Sequence, residues 1–158
     1  MHMANFKLGY LSAILALFLF IPLAALAQLR FDTEPLIIRT AQGEHHFHVE
    51  LAIDARQREQ GLMFRQSMPD TAGMLFDFEQ PRVVNMWMKN TYIPLDMLFI
   101  DQEGRIEHIH EGAKPHDETV ISSGGAVRFT LELNAGLVDK YGIKQGDRVF
   151  SRWIGNLD

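Results

Sequence analysis

The 158-residue chain carries a formal net charge of −5, a pI near 5.8 and no cysteine. Phosphate backbones demand stripes of Lys and Arg, so this acidic balance excludes nucleic acid as a partner. The missing thiols exclude thiolate nucleophiles, thiolate zinc sites and disulfide staples, leaving oxygen, nitrogen and thioether groups for any chemistry.

Residues 1–27 read as a cleaved signal peptide. Lys7 supplies the positive start, and an apolar run interrupted only by Ser12 extends from Leu8 to Ile21. Pro22 breaks the run, and Ala25-Leu26-Ala27 forms an A-x-A cleavage signature before Gln28. No Cys follows, so a lipoprotein is excluded. The expectation is one domain over residues 28–158, periplasmic or secreted, with no membrane span once the signal is removed.

The first strand is expected over residues 35–39, followed by a turn at Gln42-Gly43. Residues 46–53 alternate as a half-buried partner strand, with Phe47, Val49, Leu51 and Ile53 on one face and His46, His48 and Glu50 on the other. Asp54 then reads as a helix N-cap, with Gln57 in the capping-box position and Gly61 as the stop. Residues 73–78 and 83–88 read as two strands separated by a turn at Glu79-Gln80-Pro81. Residues 95–101 are apolar on both faces except at Asp96, the pattern of a central strand. A turn at Gln102-Glu103-Gly104 leads to a partner strand over 105–110, and Ser122-Ser123-Gly124-Gly125 reads as a flexible loop tip. Over 126–133, Val127, Phe129, Leu131 and Leu133 point one way and Arg128, Thr130 and Glu132 the other. Asn134 is placed to cap a second short helix that Gly142 ends, and Gly146-Asp147 turns into a last strand over 148–153.

This pattern predicts a mainly β (α+β) fold: a compact antiparallel barrel or sandwich of about eight short strands with two short helices.

Four segments recur together in a recognisable order. They are Arg58-Glu59-Gln60-Gly61-Leu62-Met63-Phe64-Arg65, Gly73-Met74-Leu75-Phe76, and Trp87-Met88-Lys89-Asn90-Thr91 with Pro94-Leu95-Asp96. The fourth is Leu131-Glu132-Leu133-Asn134-Ala135-Gly136 with Gly142-Ile143 and Gly146-Asp147. In this order the chain resembles the family called domain of unknown function 192, over about residues 34 to 152. The resemblance implies a compact β-rich domain and brings no activity, substrate or cofactor with it.

The polar residues inside these segments, Arg58, Arg65, Lys89, Asn90, Asp96, Glu132 and Asn134, together with Trp87, are the candidate ligand-binding set. Asp96 lies in an apolar strand and needs a partner, for which an Arg from the first helix region is the natural choice. Two readings stand side by side. Asp96 and Glu132 form an acid–base pair of a hydrolase-like or lyase-like enzyme, or the set consists of internal braces. Asn90-Thr91 likewise reads either as a tight turn or as a loop presenting Lys89 and Asn90 to a ligand.

No cofactor is expected, and two weaker metal patterns stand beside this set. Met86 and Met88, two residues apart on a strand, have the spacing to grip Cu(I) with two thioethers, although Met is more often a core filler. His46 and His48, and His108 and His110, form H-x-H pairs but lack the glycine and glutamate spacing of cupin-like metal barrels. The function expected is binding of a small ligand or an envelope protein, without catalysis.

Overall fold

The computed structural model describes residues 29–157; the signal peptide expected over 1–27 lies outside them. The chain forms β1 (Thr33–Thr40), β2 (Gly43–Ala52), α1 (Ala55–Gln60), β3 (Ala72–Met86), β4 (Leu95–Ile100), β5 (Ile106–Ala113), β6 (Ile121–Asn134), α2 (Leu137–Tyr141) and β7 (Arg148–Ser151). The strands make one sheet in the order β5-β4-β6-β3-β2-β1-β7. The sheet curls into a half-barrel, and its two edge strands approach each other at an Arg105–Arg148 bridge. The fold is therefore mainly β, but with seven strands rather than eight, and neither a closed barrel nor a two-sheet sandwich.

Local chemistry sets the first half. β1 and β2 pair antiparallel around the tight turn at Ala41-Gln42, burying Phe47, Val49 and Leu51 and leaving His46 and His48 exposed. Asp54 caps α1: its Oδ1 accepts from Gln57 N–H at 2.8 Å, while Gln57 Oε1 accepts from Asp54 N–H at 3.1 Å. Gly61 ends the helix at φ 46°, with the Phe76 ring so close that a Cβ there would lie 3.2 Å from it. Helix α1 and the segment after it form a crossover, so β2 and β3 pair in parallel, unlike every other pair in the sheet.

The two strands expected over 73–78 and 83–88 are one long strand. β3 stays paired with β6 across a register shift between Asp77 and Arg82, so Glu79-Gln80-Pro81 is a bulge rather than a turn. Glu79 takes φ 70° there, and its N–H donates to Asp77 Oδ1 at 2.7 Å. Ser122 to Gly125, expected as a loop tip, belong to β6 for the same reason. The Ser123 hydroxyl is buried, accepts from Val84 N–H and donates to the Gly125 carbonyl.

Both faces of the sheet are covered. Leu36, Val49, Leu75, Leu98, Leu131 and Leu133 pack with Leu137 and Val138 of α2 on one face. Met74, Phe76, Leu95, Met97 and Phe99 pack with Leu62 and Met88 on the other. Central strand β4 is accordingly buried at all six positions, as its apolar composition predicts. Among the described residues, no helix is long and apolar enough to cross a membrane.

Candidate functional site

Asp96 and Glu132 occupy neighbouring strands, and the register separates them. Asp96 is paired with Leu133, and Glu132 with Met97 on β4 and Met74 on β3. Paired residues share a face, and successive residues alternate, so the two carboxyl groups point to opposite sides of the sheet. An acid–base pair built from these two residues is therefore not formed.

Asp96 is a brace. It is fully buried, its Oδ2 accepts from Gly136 N–H at 2.9 Å and Val138 N–H at 3.0 Å, and its Oδ1 accepts from Gly112 N–H at 2.9 Å. It thus caps the start of α2 from outside the helix, and its partners are backbone amides in place of the expected arginine. Asn134 does not cap that helix either; the N-cap is Gly136. Asn134 Nδ2 instead donates to Met68 O at 2.8 Å and Asp70 Oδ1 at 3.1 Å, tying down the loop before β3.

The two arginines are also engaged. Arg58 Nη1 donates to the carbonyls of Ile53 and Asp77, and Nη2 pairs with Glu79 at 3.0 Å. Arg65 forms a two-pronged pair with Glu50, both contacts at 2.5 Å. Lys89 is exposed, with its ammonium 5.4 Å from the Trp87 ring centroid. Asn90 adopts φ 54°, as its turn reading requires, and its carbonyl accepts from Phe64 N–H at 2.9 Å.

Glu132 differs from all of these. Its residue is 4% exposed, no hydrogen bond to its carboxyl group is found among the described residues, and its oxygens are not among the fully enclosed unpartnered atoms, so they reach the pocket surface. Burial pushes its pKa up to about 8, so the group is mostly a neutral acid at pH 7. It borders a pocket of about 100 Å³ walled by α1 and the segment after it, by Phe76 and Phe78, and by Asn85 to Trp87. Of the sequence candidates, Arg58, Trp87 and Glu132 line this pocket. Lys89 and Asn90 border an adjoining depression that shares Trp87, and Arg65 a third that shares Met63. Glu59 and Met63, brought by the α1 crossover, and Phe78 of β3 line the pocket too, and none of them is among the candidate ligand-binding residues.

Met86 and Met88 do not form a joint thioether site. β3 ends at Met86, which lines the Glu132 pocket, whereas Met88 is fully buried and borders a depression beside Gly112 and Lys114.

A model of the family described as Uncharacterized ACR, domain of unknown function 192, matches residues 37–151. The chain belongs to this family. Two crystal structures are similar to this member of domain of unknown function 192. A crystal structure from Sinorhizobium meliloti 1021, described provisionally as a transcription regulator, is 52% identical with a TM-score of 0.76. The match covers 78% of this chain and 96% of that one. A protein of unknown function from Novosphingobium aromaticivorans DSM 12444 is 38% identical with a TM-score of 0.74, covering 75% of this chain and 85% of that one. A search of curated proteins finds no match.

Proposed function

We propose that this domain is an exported, non-catalytic module that binds a small ligand in the pocket above Glu132. The observation that carries the reading is the Glu132 carboxyl group, buried at the pocket and without a protein hydrogen-bond partner. Keeping it there is unfavourable. With the folded pKa at about 8 and an ordinary value of 4.5, the folded state holds a proton that the unfolded chain releases, which costs about 3 kcal/mol at pH 7. A group that destabilises the fold and faces an opening is characteristic of a site kept for recognition. Rings and thioethers from Phe76, Phe78, Trp87, Met63 and Met86, mixed with a few polar groups, match the usual composition of a small-molecule site.

The regulator description of the Sinorhizobium protein does not transfer to this chain as DNA binding, because the net charge of −5 opposes phosphate contacts. The test is a fragment titration of amines, alcohols, amides and carboxylates followed by amide and indole NMR. Ligands are expected to shift the Trp87 indole N–H and to lose binding in Glu132→Leu, whose folding is checked by its dispersed amide spectrum. Fragments that bind Glu132→Leu as well as the native protein, or an absence of binding by any class, would overturn the proposal.

A second reading, docking of an envelope protein, is favoured by the exposed aromatic row beside the pocket. Phe64 is 54% exposed at φ 65°, an unusual backbone for a bulky residue, and stacks edge-on against Tyr92, which meets the His116 ring at 5.1 Å. Under this reading, a purified envelope partner binds the native protein and not Phe64→Ser/Tyr92→Ser.

A further inference from the structure

Resting on the reading that Glu132 anchors a ligand, we infer that the anchored group is a cationic amine, paired with the Glu132 carboxylate inside a cage of aromatic and thioether side chains. The walls carry the argument. Phe76, Phe78 and Trp87 present rings, and Met63 and Met86 present polarisable thioethers. Ring faces attract cations, and the surroundings already show it: the Lys89 ammonium lies 5.4 Å from the Trp87 centroid and the Arg82 guanidinium 5.1 Å from that of Phe78.

The charged groups facing the pocket point the same way. Among the described residues Arg58 of α1 is the one cation lining it, and its guanidinium is engaged by two carbonyls, by Glu79 and, at 6.0 Å, by the Phe78 ring. Glu59 of the same helix lines the pocket as a second acidic side chain, and no histidine is among the walls. From the adjoining loop, the Lys89 ammonium lies 5.4 Å from the Trp87 ring centroid and competes with an incoming cation for that ring. An anion would meet Glu59 and Glu132 with Arg58 engaged elsewhere and with neither Lys89 nor Arg82 lining the pocket. A neutral hydroxyl would satisfy Glu132 but leave the ring faces and Glu59 unused.

The two remaining ligand types predict opposite pH dependence. An amine needs the ionised carboxylate, so its apparent affinity scales with the ionised fraction of Glu132. A neutral alcohol pairs with the protonated acid and weakens as that acid ionises. The experiment is titration of the full exported domain with n-butylammonium and, separately, n-butanol at pH 6, 7, 8 and 9, followed at the Trp87 indole N–H.

For n-butylammonium the apparent affinity is expected to rise roughly fifty-fold from pH 6 to pH 8 and to level off above that. Glu132→Gln should abolish the rise and weaken the amine more than tenfold, and Lys89→Ala should strengthen it a few-fold. If n-butanol binds while n-butylammonium fails, or weakens with rising pH, the amine assignment is overturned and the pocket reading stands. If neither compound binds, both are overturned.

Discussion

Asp96 and Glu132 lie on adjacent strands and point away from each other, one into the Leu-rich core beside α2 and the other toward the α1 crossover. The two carboxyl groups most apt to look like a catalytic pair thus do unrelated work. Asp96 receives three backbone amides, while Glu132 receives none from the described residues. Their mutants should behave in opposite ways.

Asp96→Ala should be strongly destabilising. It strands three amide donors around a fully buried position, an expected loss of about 4 kcal/mol. Urea unfolding reads this directly. Any ligand that binds the native pocket should still bind the folded fraction of this variant with unchanged affinity, because Asp96 is on the other face.

Glu132→Gln should be stabilising at neutral and alkaline pH. The folded pKa is raised, so the folded state holds more protons than the unfolded chain between about 4.5 and 8, and native stability falls as pH rises through that window. Above it, no further loss is expected from this group. The variant should show a flatter profile, matching the native protein near pH 4.5 and exceeding it by a few kcal/mol at pH 8. Thermal melts across pH 4.5 to 8.5 measure the divergence.

Asp77→Asn should act with the opposite pH sign. Burial works to raise the Asp77 pKa, but hydrogen bonds from Arg128, Glu79 N–H and Trp153, with the Arg128 charge, hold it below the ordinary carboxylate value. Its contribution is therefore present above pH 3.8, the ordinary value, and is lost as pH falls through the folded pKa. The variant is expected to lose about 2 kcal/mol at pH 7, and the gap should close in acid. Trp153 gives a second readout, since its Nε1 donates to Asp77 Oδ2 at 2.9 Å and its fluorescence should change with the substitution.

Thr130→Val should stabilise the domain. Thr130 Oγ1 is buried without a hydrogen-bond partner on the same face as Glu132, so exchanging the hydroxyl for a methyl should add about 1 kcal/mol. A chemical denaturation curve decides the sign.

Local features of this fold are legible in the sequence because their partners are near in the chain. The Asp54–Gln57 box spans three residues, and the alternation of Phe47, Val49 and Leu51 needs only the strand period. The bulge at Glu79 and the continuation of β6 through the register shift at Ser123 to Gly125 are set by β6 and β3 holding each other across many residues, so local turn chemistry reads them as loops. The partners of Asp96 are amide groups of Gly112, Gly136 and Val138, which carry no side-chain signature, hence the false expectation of an arginine. Glu132 lies on the polar side of a clear alternation and looks solvent-facing. The α1 crossover and the 85–87 segment, both remote in sequence, cover it.

Whether Glu132 is a neutral acid at a ligand site is read most plainly by NMR titration of its side-chain carboxyl carbon in the ligand-free domain. A midpoint at about 8 is expected, moving downward when a cationic ligand is added. A midpoint near 4.5, the ordinary value, with no response to any ligand that binds the protein, would contradict it.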